Sequence, residues 1–217
     1  MRVVSVLSEK GGAGKTTLAV HLATAAHLAG LGVAILDLDP QGSAYAWAER
    51  RTTPPEAQSI QPVALDGWLT KLKSAEANLV VLDTGRDSNN AGYTAAKAAD
   101  MILRPLRAGG FDFLALGRTL DLCRLAGKRP FVILNAIRPG SIRAEEEARE
   151  TLAGLDCELA PVVLHERASF RHASVAAKSA QELEPNGKAA EEMAALYAWI
   201  AGQLDLTTAR QKKGAVR

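Results

Sequence analysis

The stretch Lys10-Gly11-Gly12-Ala13-Gly14-Lys15-Thr16-Thr17 restricts this chain more than any other. It follows the apolar run Val3-Val4-Ser5-Val6-Leu7 and precedes an Ala- and Leu-rich helical segment, Leu18 to Ala29, closed by Gly30. Strand, glycine loop and helix in that order are the parts of a phosphate-binding loop. Glycines let the backbone curl so that its N–H groups point inward at phosphate oxygens, and the helix adds its positive end. Gly11, Gly12, Ala13, Gly14, Lys15, Thr16 and Thr17 are therefore the expected nucleotide-binding residues. Lys15 should reach the β- and γ-phosphates, and the Thr16 hydroxyl should meet Mg²⁺. Thr17 should cap the α-phosphate. The ordinary pattern G-x-x-x-x-G-K-[ST] is not met, because Glu9 stands where its first glycine belongs. A second lysine, Lys10, has no part in the ordinary loop.

Short β-branched runs alternate with longer helical segments along the rest of the chain. Strands are expected at Val33 to Leu38, Leu79 to Leu82, Met101 to Leu103, Phe131 to Leu134 and Leu159 to Leu164, with Val63 in a short extra strand. Helices fill 42–50, 66–75, 90–98, 112–126, 141–153, 169–179 and 188–203. Apolar strands without alternation, separated by helices, predict an α/β fold: a single-domain P-loop NTPase whose mostly parallel, twisted sheet is covered on both faces. Residues 1–206 are read as that domain and 207–217 as a basic, frayed tail.

Composition excludes other classes. With 217 residues, 47% of them apolar, the chain is neither disordered nor a small disulfide scaffold. A net charge of +2 allows a local basic patch but demands no nucleic acid. Cys123 and Cys157 form no CxxC pair and read as two reduced thiols. Glu9 and Lys10 interrupt the N-terminal apolar run too early for a signal peptide. No stretch approaches the roughly 18 apolar residues of a membrane helix. The expectation is a soluble, cytoplasmic protein.

Residue for residue, the loop fits the variant KGGxGKTT and resembles the ParA/MinD family of deviant-Walker ATPases. The resemblance extends along nearly the whole chain. Asp37-Leu38-Asp39-Pro40-Gln41 is similar to the family's DxDPQ switch I motif, and Leu79 to Thr84 to its Walker B and switch II segment. It implies that ATP and Mg²⁺ are the ligands. Lys10 resembles the signature lysine, which crosses a nucleotide-sandwich homodimer to the partner's ATP. Lys10, Lys15 and Asp39 are then the catalytic residues, Asp39 positioning the attacking water. Thr16, Asp37 and Asp83 are the metal residues, with Asp37 a second-shell or switch carboxylate. Asn135 is the candidate to hydrogen-bond adenine, with a strand-end turn former as the equal alternative, and Pro161 belongs to a candidate wall of the base pocket. The chain departs from the family's Asp-Thr-Pro-Pro at Asp83-Thr84-Gly85-Arg86. Arg86 reads as an exposed loop arginine, with a polar switch residue as the alternative.

Family members differ in what the ATP-bound dimer grips. The terminal helix here carries Glu191 and Glu192 among its apolar residues, which favours docking on the core over an anionic membrane. Arg171 and Lys178 are the candidate DNA contacts, since a helix would align them with Arg167. No helix-turn-helix segment precedes the loop. The chain thus resembles the short ParA class: an ATPase that binds double-stranded DNA without sequence preference, associates with the nucleoid, and segregates DNA or another large cargo. A ParB-like or other cargo adaptor would stimulate its slow hydrolysis. The alternative is a MinD-like membrane-associated or scaffold-type positioning ATPase. A metabolic P-loop ligase is disfavoured by Lys10 and the DxDPQ segment.

Overall fold

The computed structural model describes residues 1–86, 89–107 and 109–206. The basic tail expected at 207–217 lies outside them. Strand β1 (Arg2–Val6) leads into α1 (Lys15–Leu28), then β2 (Val33–Asp37), α2 (Ser43–Ala48), β3 (Glu56–Ser59), α3 (Leu65–Ser74) and β4 (Leu79–Asp83). The chain continues through α4 (Asn89–Ala98), β5 (Met101–Leu106), α5 (Gly110–Leu125), β6 (Phe131–Ile137) and α6 (Ile142–Leu152). It ends with β7 (Glu158–Leu159), β8 (Leu164–His165), α7 (Ala168–Val175), α8 (Ala180–Leu183) and α9 (Lys188–Gln203). The sheet order is β3-β2-β4-β1-β5-β6-β7, with β8 pairing β6, and every pair is parallel.

Both faces of the sheet are buried, which explains the unbroken apolar strands. Val4, Val6, Leu79 and Val81 point to one face, where α1 and α9 cover them. Val3, Val80 and Leu82 point to the other, beneath α3 and α4. The far end of that second face is closed by α5 and α6 over Val132 and Leu134. Met193, Leu196 and Ile200 are fully buried, so α9 docks on the core as its composition suggests. Cys123 and Cys157 are free and buried, and burial pushes the Cys123 thiol up to about 12. Among the described residues, no helix is long and apolar enough to cross a membrane.

Two expected strands are corrected. Val63 lies in a single 3-10 turn, Pro62–Ala64, and is 89% exposed; the extra edge strand is Glu56–Ser59, which pairs β2. The stretch 159–164 is not one strand. It divides into β7 and β8, which pair opposite ends of β6, and Pro161 lies between them. Proline has no N–H for a ladder, and its ring favours a turn at this point.

Candidate functional site

Three strand ends build the site. Register pairs Val6 with Asp83 and Asp83 with Asp37, so the loops after β1, β2 and β4 emerge side by side at the carboxyl edge of the sheet. In open α/β sheets that edge is where ligands bind. The loop after β1 ends at Gly14, which is left-handed (φ 94°) and opens α1. A β-carbon there would also collide with Asn135 Nδ2, so both conformation and space favour glycine. Asn135 Nδ2 donates to the Ala13 carbonyl at 2.7 Å, tying β6 to the loop.

A cavity of about 620 Å³ is lined by Gly11, Gly12, Gly14, Lys15, Thr16, Thr17, Asp39, Pro40, Gln41 and Arg86. Lys15 is buried, and burial lowers its pKa against the opposing pull of Asp83 and Asp39. Its ammonium donates to the Lys10 carbonyl at 3.5 Å. Asp39 accepts from the Gln41 N–H at 3.0 Å, and its carboxylate lies against Gly85, where a β-carbon would be 3.1 Å from Oδ1. Gly85 thus lets the loops after β2 and β4 touch.

The two other aspartates are fully buried. Asp37 accepts from the N–H of Asp39 (3.0 Å), Ala44 (2.8 Å) and Tyr45 (3.0 Å) and so anchors its loop to the start of α2. Burial raises its pKa, and these N–H groups lower it. Neither oxygen of Asp83 has a hydrogen-bond partner among the described residues. Burial pushes its pKa up to about 7, while Thr16 and the Lys15 charge pull the other way. A buried carboxylate of this kind, next to a threonine hydroxyl, is suited to a hard divalent cation.

Lys10 is not in the cavity lining. Its ammonium donates to Asp112 Oδ2 of α5 at 2.6 Å. Asp112 is nearly buried, and the fully buried Arg104 donates to its carbonyl at 3.4 Å. No local pattern marks Asp112 or Arg104, which lie about a hundred residues from the loop they support.

A second cavity of about 320 Å³ adjoins the first at Gly14 and Thr17. Leu18, Leu164, Phe170 and Met193 give it apolar walls, and Asn135, Arg107, His165 and Arg171 give it polar ones. The size suits a small ligand. Asn135 lines this cavity, with its amide donating to the Ala13 carbonyl. Pro161 is exposed and does not line the cavity; the chain from Leu164 to Arg167 does.

The expected alignment of Arg167, Arg171 and Lys178 on one helix is corrected. Arg167 precedes α7 and pairs with Glu192 of α9 at 2.6 Å. The helix ends at Val175, and left-handed Ala177 (φ 52°) turns Lys178 away from its axis. Arg171 and Lys178 are both exposed. His21 is structural: it is fully buried, shares a 2.7 Å hydrogen bond with the Thr17 carbonyl, and meets Phe170 edge-on at 5.0 Å.

The profile of the CobQ/CobB/MinD/ParA nucleotide binding domain matches residues 4–178. The chain is 35% identical over 214 residues to the maintenance of carboxysome distribution protein A of Gloeobacter kilaueensis, covering 94% of each. A chain of the MinC:MinD cell division protein complex of Aquifex aeolicus superposes with a TM-score of 0.77 at 16% identity, over 93% of this chain and 96% of that one. MinD of Pyrococcus horikoshii, complexed with Mg-ADP, gives 0.74 at 18% identity, over 90% and 94%. These structures share the fold.

Proposed function

The chain belongs to the CobQ/CobB/MinD/ParA nucleotide-binding family, and from that premise we propose that it is an ATP-hydrolysing positioning switch. One observation carries the reading: the glycine loop, Lys15 and Asp39 converge on one cavity, with the orphaned Asp83 carboxylate beside them. The loop N–H groups and Lys15 bind the phosphates, and Asn135 and the adjoining apolar cavity receive the nucleoside. Thr16 and Asp83 would hold Mg²⁺, with Asp37 acting through the loop it anchors, and the metal would supply charge neutralisation at the phosphate oxygens. Asp39 orients water for in-line attack on the γ-phosphorus, and ADP leaves. No covalent intermediate is needed, since phosphoryl transfer depends on positioning and charge.

Lys10 acts in trans. Its ion pair with Asp112 is reversible, because a third of the lysine side chain is exposed to solvent. In an ATP-bound homodimer it leaves Asp112 for the partner's phosphates. That dimer binds duplex DNA without sequence preference, through exposed cations including Arg171 and Lys178, and an adaptor on the cargo stimulates hydrolysis and release. The 35% identical relative is named for carboxysome distribution and matches along 94% of both chains, which favours a protein compartment as the cargo over a replicon.

Binding to random-sequence duplex DNA at one moderate salt concentration tests this reading. Retention with Mg·ATP but not with Mg·ADP or without nucleotide is expected. ATP binding without any DNA binding would remove the nucleoid mechanism and leave a MinD-like scaffold or membrane switch.

A further inference from the structure

We propose that Arg86 contacts the terminal phosphate of the nucleotide bound by its own chain, a cation in cis that distinguishes a triphosphate from a diphosphate. The inference rests on the reading of the cavity as an ATP site and adds a residue to it. Arg86 follows the strand that ends in Asp83, and its exposed side chain folds back over the phosphate loop. A β-carbon on Gly11 would stand 3.0 Å from Arg86 Nη1 and 3.3 Å from its Cδ. The guanidinium therefore lies against the bare Cα of Gly11, on the cavity wall.

Position along the cavity indicates which phosphate it meets. Gly14 and Thr17 are shared with the second, apolar cavity and so mark the nucleoside end. Gly11, Asp39 and Arg86 line the phosphate cavity alone. Asp39 faces Gly85, so contact between the loops after β2 and β4 holds Arg86 at this end. The electrostatics agree. Arg86 and Lys15 line the same cavity, so two cations face one space. An anion between them relieves that repulsion, and a guanidinium can offer it two parallel N–H donors.

In the reaction, water oxygen bonds to the γ-phosphorus as the bond from phosphorus to the β–γ bridging oxygen breaks. The bond's electron pair stays on ADP, and the water proton leaves with the inorganic phosphate or to solvent. Arg86 donates to the γ-oxygens throughout and adds charge stabilisation without awaiting a second chain.

The test is displacement of a fluorescent ADP analogue by unlabelled ATP and ADP, for wild type, Arg86→Ala and Arg86→Lys. Arg86→Ala should weaken ATP by about tenfold or more, the worth of one charge-assisted hydrogen bond, and leave ADP little changed. Arg86→Lys should recover part of the loss, and single-turnover hydrolysis should follow the same order. Arg86 is exposed, so the melting temperature of the nucleotide-free variants should match wild type. An unchanged ATP-to-ADP ratio, or equal loss of both, overturns the proposal. A wild-type chain that binds neither nucleotide would overturn the ATP-site reading itself, which separates the two failures.

Discussion

Asp37 and Asp83 end adjacent parallel strands, sit opposite each other in register, and are both fully buried. Their chemistry is nevertheless opposed. Asp37 is surrounded by backbone N–H donors from its own loop and from α2. Neither oxygen of Asp83 accepts a hydrogen bond of normal geometry among the described residues, although the Thr16 hydroxyl and the Lys15 charge lie near it. A buried carboxylate that is fully hydrogen-bonded stabilises a fold, whereas one that is unpartnered costs free energy until a cation or a proton arrives. The first carboxylate therefore shapes its loop, and the second keeps its oxygens open to a cation.

Substitution by asparagine should separate them. Asp83→Asn should weaken Mg²⁺-dependent nucleotide binding or turnover by about a hundredfold or more, since removing a metal's protein ligand or its support costs 10–100-fold in affinity or activity even at outer positions. Its metal-free stability should be no lower than wild type, because a buried charge has gone. Asp37→Asn should do the reverse. Whichever way the amide turns, its NH₂ faces backbone N–H donors, and one or two of them are left unsatisfied. The expected loss is about 2–5 kcal/mol in denaturant unfolding. Equal losses of stability in the two variants would break the comparison.

His21 offers a third kind of buried titratable group. It tolerates burial by staying neutral: desolvation lowers its pKa to about 4, against the smaller opposing effect of the Thr17 carbonyl. The unfolded chain binds a proton near pH 6.5, where the folded one does not. Stability is thus fully present above pH 6.5 and falls as pH drops toward 4, by about 3 kcal/mol in all. Unfolding free energies of wild type and His21→Gln, compared across that window, should diverge by this amount. Parallel profiles would mean that the histidine is accessible to protons in the folded state.

The phosphate loop, the parallel sheet and the strand-end aspartates were legible because each is a local pattern: glycines at fixed positions, β-branched runs, a carboxylate closing a strand. Long-range pairings carried no such mark. Asp112 meets Lys10 from α5, and Asn135 meets Ala13 from β6, through contacts that more than a hundred residues of chain separate. Arg86 is exposed as its loop position suggests, but nothing local shows that the loop folds back over Gly11. The break before Lys178 was hidden as well, since an alanine rather than a glycine takes the left-handed conformation there. Pro161 was adjacent in sequence to the right wall, but the turn it occupies leaves the cavity to Leu164 and the residues after it.

The smallest expected effect tests whether the Lys10–Asp112 pair resembles Asp37 or Asp83. If it were structural like Asp37, removing the lysine would leave a nearly buried carboxylate uncompensated and cost several kcal/mol. Two features oppose that. Lys10 is a third exposed, so water screens the pair and lowers its worth. The Asp112 carboxylate also keeps the charge of the buried Arg104, whose guanidinium donates to the Asp112 backbone carbonyl. Lys10→Ala should therefore change monomer stability by less than about 1 kcal/mol, while ATP-dependent dimerisation and hydrolysis are lost. A cost above about 2 kcal/mol would make the contact a structural ion pair, and a lysine held that firmly could not be released to a partner's nucleotide.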